Sequence, residues 1–257
     1  VSRLRGEHAL VTGANRGIGL ATARLLAREG ADVSLLVRSA SSAETVASEL
    51  RALGVHAGVV SADVSDRSAL FSACHKAAEQ RGPVTILVNN AGSVQTVPFL
   101  KSEPALFHKM YAVHLMGPVH ATQAVLPGML ERGAGAIVNV ASIAGLVGAS
   151  YTAAYVAAKH AMVGLTRALA VEFQAKGIRV NAVCPGYTDT ALVSDAVRRI
   201  VAKTRRSEEE AMAIILADAG QQRLVRPEEV AVAILSFCDP TSLANGESRP
   251  LMGRDGE

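Results

Sequence analysis

A glycine-rich segment near the amino terminus, Thr12-Gly13-Ala14-Asn15-Arg16-Gly17-Ile18-Gly19, joins a β-type run, His8 to Val11, to a helical pattern from Ile18 to Glu29. A tight turn from strand directly into helix opens a βαβ unit and commits a chain to parallel strands joined by crossover helices. The same alternation continues downstream. Asp32 to Val37, Val55 to Val60, Thr85 to Val88, Ala136 to Val140 and Ile178 to Val183 read as further strands, and Ser248 to Met252 as a short last one. Between them, Ser41 and Glu44 have capping-box spacing at the head of a helix, and Asp66 to Gln80 forms the next. Long helical patterns run from near Ser102 to near Met129 and from Thr152 to Ala175. Pro185 and Gly186 break the pattern, Thr190 to Ala219 is a charged helical stretch outside the alternation, and a final helix starts at Pro227.

These elements predict an α/β fold, a doubly wound parallel sheet of about seven strands with helices on both faces, as a single domain over residues 1–257. With 49% hydrophobic but only 4% aromatic residues, the core falls to Ala, Val, Leu and Ile, which suits a buried sheet under closely packed helices. A net charge of +3 argues against a nucleic-acid partner. Cys74, Cys184 and Cys238 lie far apart with no C-x-x-C pair, so no metal site and a reducing compartment are expected. Neither a secretory signal nor a spanning helix is visible, which predicts a cytoplasmic protein without a membrane partner.

Gly13 permits the tight turn, while Gly17 and Gly19 lack the Cβ that would hold a pyrophosphate off the backbone or the helix off the sheet. Phosphate charge would then face amides at a helix amino terminus. An acidic residue ending the second strand would accept hydrogen bonds from an adenosine ribose; this chain has Val37 followed by Arg38 there. With Arg16 in the loop, two guanidinium groups suit a 2′-phosphate, so NADP(H) is favoured over NAD(H). Two solvent-facing arginines are the plainer reading. Farther on, Tyr155 and Lys159 stand four apart on a helix, where the ammonium would lower the phenol's pKa from its usual value of about 10. Ser142 follows the fifth strand, at the edge where open parallel sheets bind ligands.

Together with Asp63-Val64 after the third strand, Asn89-Asn90-Ala91-Gly92 after the fourth and Pro185-Gly186 after the sixth, these segments make the chain resemble the short-chain dehydrogenase/reductase family over nearly its whole length. The resemblance implies a Rossmann-type sheet and a hydride transfer between the cofactor and a ketone or secondary alcohol, with Tyr155 as proton donor or acceptor and Ser142 bonded to the substrate oxygen. It also implies that Asp63 and Val64 contact the adenine, Asn90, Ala91 and Gly92 bracket its ribose, and Asn15, Arg16 and Ile18 belong to the phosphate loop. Lys159 would hold the nicotinamide ribose, and Pro185, Gly186, Thr190 and the less certain Thr188 would place the nicotinamide amide.

His114 stands where the family usually has an asparagine that holds a water beside the lysine. Its imidazole either preserves a proton path, making activity depend on pH near neutrality, or satisfies a local backbone group. Both readings remain open from sequence. Val94, Ala144, Leu146, Tyr151 and Tyr187 are the expected substrate wall, Tyr151 being placed on the helical face of Tyr155, with a helical lid over residues 188–222. Arg198, Arg199, Lys203, Arg205 and Arg206 in that lid would either receive the phosphates of a 3-oxoacyl thioester or form a solvated face balanced by Glu208, Glu209 and Glu210. A cyclic or aryl ketone and a steroid-like alcohol are the other substrates compatible with these loops. By resemblance the chain is a homotetramer or homodimer packed through its two long helices, although its ending, Gly253-Arg254-Asp255-Gly256-Glu257, departs from the usual double-glycine finish. A noncatalytic NADP(H)-binding sensor or scaffold is the alternative function, and a nucleotide-sugar epimerase a third for which the chain has little room.

Overall fold

The computed structural model describes residues 2–254. Strands β1 (His8–Thr12), β2 (Asp32–Val37), β3 (Ala57–Ser61), β4 (Ile86–Asn89), β5 (Gly135–Val140), β6 (Ile178–Pro185) and β7 (Ser248–Leu251) form one sheet in the order β3-β2-β1-β4-β5-β6-β7. Every neighbouring pair is parallel. The helices are α1 (Gly17–Arg28), α2 (Glu44–Arg51), α3 (Arg67–Arg81), α4 (Pro104–Tyr111), α5 (Gly117–Arg132), α6 (Ala153–Phe173), α7 (Ala191–Thr204), α8 (Glu208–Ala219) and α9 (Pro227–Cys238).

Side chains that alternate along a strand feed two separate cores. Ala9 and Val11 of β1 pack with Leu26 of α1, Leu50 of α2 and Phe237 of α9 on one face. Leu10, between them, packs with Leu70 of α3, Val125 of α5 and Phe173 of α6 on the other. Most of these partners are Ala, Val and Leu, which lets α1 approach α9 and α3 approach α5 closely. Strand order reverses between β1 and β4, so the connections that follow them diverge to opposite faces and leave a crevice at the carboxyl edge.

Several local expectations change. Ser41 and Glu44 make no capping box: the Ser42 hydroxyl donates to Ser39 O at 2.6 Å and tightens a 3₁₀ turn, Ala40–Ser42, after which α2 begins at Glu44 without a side-chain cap. The predicted helix from Ser102 to Met129 starts at Pro104, widens into a π-turn over Ala112–Met116, and continues to Arg132. β6 runs on through Pro185, because its last residues pair with β7. The stretch from Thr190 to Ala219 is two helices rather than one. Arg205 takes the left-handed conformation (φ 60°), and Ser207 and Glu210 form a capping box that starts α8 afresh. Of the carboxyl-terminal ending, Asp255, Gly256 and Glu257 lie outside the described residues. Among the described residues no helix is long and apolar enough to cross a membrane, and no cluster of His, Cys, Asp or Glu could hold a metal ion.

Candidate active site

A cleft of about 1590 Å³ opens at the carboxyl ends of β1, β2, β4, β5 and β6. Gly13, Asn15, Arg16, Gly17 and Ile18 form one end of it. No side chain caps α1, and its first turn carries no acidic residue, an arrangement that favours an anion at a helix amino terminus. Gly17 has φ 54°, and a Cβ there would lie 3.1 Å from Thr190 Cγ2, across the cleft. Gly19 is buried, with a different role: a Cβ would fall 2.4 Å from Gly13 O and 2.5 Å from Asn90 Nδ2, so its bareness lets α1 sit down on β1 and β4.

The Asn90 amide is used beneath the loop, donating to Thr12 O at 2.8 Å and Gly13 O at 3.2 Å, so Ala91 and Gly92 offer backbone to the cleft beside it. Asp63 accepts from the Ser65 hydroxyl at 2.6 Å and the Ser65 amide at 2.9 Å; these bonds, with the nearby Arg38 charge, hold its carboxyl below the usual range. It lines the cleft with Val64, Arg38, Ser39 and Ser42. Arg16 and Arg38 are exposed and form no ion pair among the described residues. Neither guanidinium is tied up in a direct ion pair, although the Asp63 carboxylate lies near Arg38.

Ser142, Tyr155 and Lys159 lie together farther along the cleft. Ser142 heads a 3₁₀ turn, Ile143–Gly145; its hydroxyl accepts from Ala144 N at 3.1 Å and donates to Pro185 O at a long 3.4 Å. Burial pushes the Tyr155 phenol up to about 12, while the neighbouring Ser142 hydroxyl pulls it down. Lys159 is buried, pushed down to about 7 by desolvation, and donates to Val140 O at 2.7 Å. Its Nζ stands 5.7 Å from the centre of the Tyr155 ring. Ser142 is the group that pulls the phenol down, while the Lys159 amine is drawn to the end of β5.

His114 sits in the π-turn, almost fully buried, with its ring edge-on to Tyr155 at 5.1 Å. Nε2 lies 2.6 Å from Ser93 O, which can only accept, so Nε2 carries the proton and Nδ1 is left as a bare acceptor without a partner among the described residues. Gly92 makes room for the ring, since a Cβ would lie 2.7 Å from His114 Cε1. Burial and the Lys159 charge push the imidazole down to about 3, against the pull of the Ser93 carbonyl. Burial thus keeps the imidazole uncharged near neutrality, and its bond to a local backbone group is present, while Nδ1 remains an acceptor beside Tyr155.

Thr188 donates to Gly186 O at 3.1 Å and Thr190 to Thr188 O at 3.2 Å, which braces the segment after Pro185 along the cleft. Of the expected substrate wall, Val94, Ala144 and Tyr187 line the cleft. Leu146 does not: it turns down against Ala141, Met162 and Cys184. Nor does Tyr151. α6 begins only at Ala153, so Tyr151 lies in the turn before it, at φ 61° and 62% exposed. Sequence reasoning missed Ser93 and Val147, although Ser93 directly follows the Asn89-Asn90-Ala91-Gly92 run. Of the five basic residues singled out around α7, only Arg199 lines the cleft, while Arg198 pairs with Asp195.

The family model described as short chain dehydrogenase matches residues 7–200. The chain is 38% identical to the 2-(S)-hydroxypropyl-CoM dehydrogenase 3 of Xanthobacter autotrophicus, over 91% of this chain and 90% of that protein. It is 41% identical to the cis-4-hydroxycyclohexanecarboxylate dehydrogenase of Sinomonas cyclohexanicum, over 88% of this chain and 86% of that one. Its fold is similar to the crystal structure of an actinorhodin polyketide ketoreductase variant with NADPH, with a TM-score of 0.90 and 37% identity over 96% of each chain.

Proposed function

The chain belongs to the short-chain dehydrogenase family and is an oxidoreductase acting on a ketone or alcohol, and we propose that it uses NADP(H), with Tyr155, Ser142 and Lys159 carrying the proton chemistry. The observation that carries this reading is that the uncapped glycine loop and these three side chains share one cleft. Gly13, Asn15, Arg16, Gly17 and Ile18 would hold the pyrophosphate, Arg38 with Arg16 the 2′-phosphate, and Asp63, Val64, Ala91 and Gly92 the adenosine, with Asn90 bracing the loop. Lys159, Pro185, Gly186, Thr188 and Thr190 would hold the nicotinamide end. When bound, the dinucleotide supplies the hydride.

Reduction of a ketone builds negative charge on its oxygen, and the site needs a proton donor there. Tyr155 keeps its proton up to about pH 12 and is the donor at neutral pH. Ser142 spends its proton on a long bond to Pro185 O and can turn it to the substrate oxygen. Lys159, when charged, stabilises the phenolate that proton transfer leaves behind; because it titrates at about 7, the charged fraction falls above neutrality. His114, held neutral, keeps Nδ1 as an acceptor beside these groups.

Val94, Ala144, Val147 and Tyr187 support a ketone with a largely apolar body. A 3-oxoacyl thioester whose several phosphates contact the α7–α8 pair has less support, since Arg199 alone of that basic set lines the cleft. The α7–α8 pair is read as the lid of a single catalytic domain. Assembly into a homodimer or homotetramer belongs to the same proposal, supported by Val171, which is 80% exposed on α6; a monomer in sedimentation would refute it.

The test is initial-rate absorbance at the reduced-nicotinamide band, with NADPH and NADH each offered a panel of ketones and oxoacyl thioesters, beside Tyr155→Phe. Turnover with NADPH that the substitution abolishes supports the reading. Turnover with NADH alone overturns the cofactor, and absence of turnover across the panel favours a noncatalytic NADP(H)-binding role.

A further inference from the structure

Gln221 follows α8 and is buried, only 7% exposed, and every polar group of its amide is used. Oε1 accepts from Tyr187 N at 2.6 Å, and Nε2 donates to Tyr187 O and to Arg223 O, each at 3.1 Å. One side chain therefore grips both backbone groups of Tyr187, as a strand neighbour would. Val225 N donates to the same Tyr187 carbonyl at 2.9 Å, and Asp189 N to Val225 O at 2.8 Å, so the grip extends a short parallel bridge between Thr188 and Val225. Gly186 is shaped to it: a Cβ there would fall 2.4 Å from Gln221 Oε1.

Tyr187 is the residue this clamp holds, and it faces two ways. Its side chain lines the cleft, and it packs against Val193 and Val197 of α7 and Ala211 and Ile215 of α8. Its phenol is also close enough to Tyr155 to disfavour ionisation of that group. The Tyr187 carbonyl keeps Val225 as a second donor, whereas its N–H has Gln221 Oε1 as acceptor. Gln221 itself does not line the cleft.

We propose that Gln221 is a positioning residue that fixes the Tyr187 wall against Tyr155 and thereby sets which face of the ketone meets the proton donor. The assignment rests on the reading of Tyr155 as that donor. Gln221→Met keeps the length of the side chain and removes all three hydrogen bonds, while Gln221→Glu keeps an acceptor for Tyr187 N and loses the two amide donors.

For Gln221→Met the ketone KM is expected to rise about tenfold and the product's enantiomeric ratio to fall several-fold, while the NADPH Kd, set mainly by the phosphate-binding end of the cleft but touched through Gly186 and Thr188 beside Tyr187, rises by a smaller factor of about two to three. Backbone hydrogen exchange at Tyr187 is expected to accelerate about tenfold in Gln221→Met and by a smaller factor in Gln221→Glu, which keeps the acceptor for Tyr187 N but turns a second oxygen to the Tyr187 and Arg223 carbonyls. Unchanged exchange in Gln221→Met overturns the proposal. So does faster exchange with KM and enantiomeric ratio at wild-type values. If Gln221→Met does not fold, Gln221→Glu decides: a ketone KM raised by more than the NADPH Kd, with faster Tyr187 exchange, supports the assignment, and wild-type kinetics overturn it. A wild-type protein that reduces no ketone removes the proposed activity instead, and the exchange comparison still decides whether Gln221 holds Tyr187.

Discussion

Replacing Arg38 by alanine separates the two cofactors, because NADPH and NADH differ only in the phosphate that this guanidinium is proposed to meet. Arg38 lines the cleft at the end of β2, is exposed, and has no ion pair among the described residues, so its removal strands no buried carboxylate. A hydrogen bond to a charged group contributes roughly 1.5–3 kcal/mol. Solvent screening at an exposed site reduces this to about 1–2 kcal/mol. At about 1.4 kcal/mol per tenfold, the NADPH Kd should rise roughly 5- to 30-fold, and the NADH Kd should change less than about twofold. Arg16→Ala should act in the same direction, and the double variant should cost less than the product of the singles because both groups meet one phosphate. Fluorescence titration of each reduced cofactor measures the Kd directly. Raising ionic strength should weaken NADPH binding in the wild type more than in Arg38→Ala. Equal weakening of both cofactors, or of neither, refutes the argument from the β2 end.

Tyr155→Phe should lower kcat by about 10²–10⁴ with NADPH affinity unchanged; a kcat within a few-fold of wild type would remove Tyr155 from the chemistry. The pH profile of ketone reduction should fall as pH rises through about 7, where Lys159 loses its proton, and this limb should persist in His114→Asn; its loss there would mean that the imidazole titrates after all. Because the folded pKa of His114, about 3, lies below the ordinary 6.5, the stability it contributes is present above pH 6.5 and is lost as pH falls toward about 3. His114→Asn should therefore flatten the acid-side decline in melting temperature, and an equally steep decline would contradict this. Gly19→Ala should cost about 1–3 kcal/mol by denaturant titration and weaken cofactor binding, since its Cβ would fall 2.4 Å from the Gly13 carbonyl; wild-type stability would show that the loop yields.

Much of the site was legible because its residues sit at fixed places relative to strand ends. The glycine loop, Asp63, Asn90 and Ser142 each follow a strand whose apolar run announces it, and a parallel sheet brings all such ends to one edge. Tyr151 and Leu146 failed for the opposite reason. They lie between elements, where the start of α6 and the turn after Ser142 decide which way a side chain points, and no periodicity applies there. The missing cap at Ser41 is similar, since the Ser42 hydroxyl offered the backbone a competing local bond.

The alternation of strand and helix patterns by itself determined the layered parallel sheet, because burial on both faces demands continuous apolar strands and period-matched helices. It also determined that a glycine turn would meet a helix amino terminus. Only the tertiary structure decided the state of the groups in the cleft. Burial sets Tyr155, Lys159 and His114 away from their ordinary pKa values, and burial depends on what other elements bring: Ser93 and Gly92 for the imidazole, the end of β5 for the lysine. The grip of Gln221 on Tyr187 joins residues 34 positions apart, and a hydrogen bond across that separation has no signature in either segment.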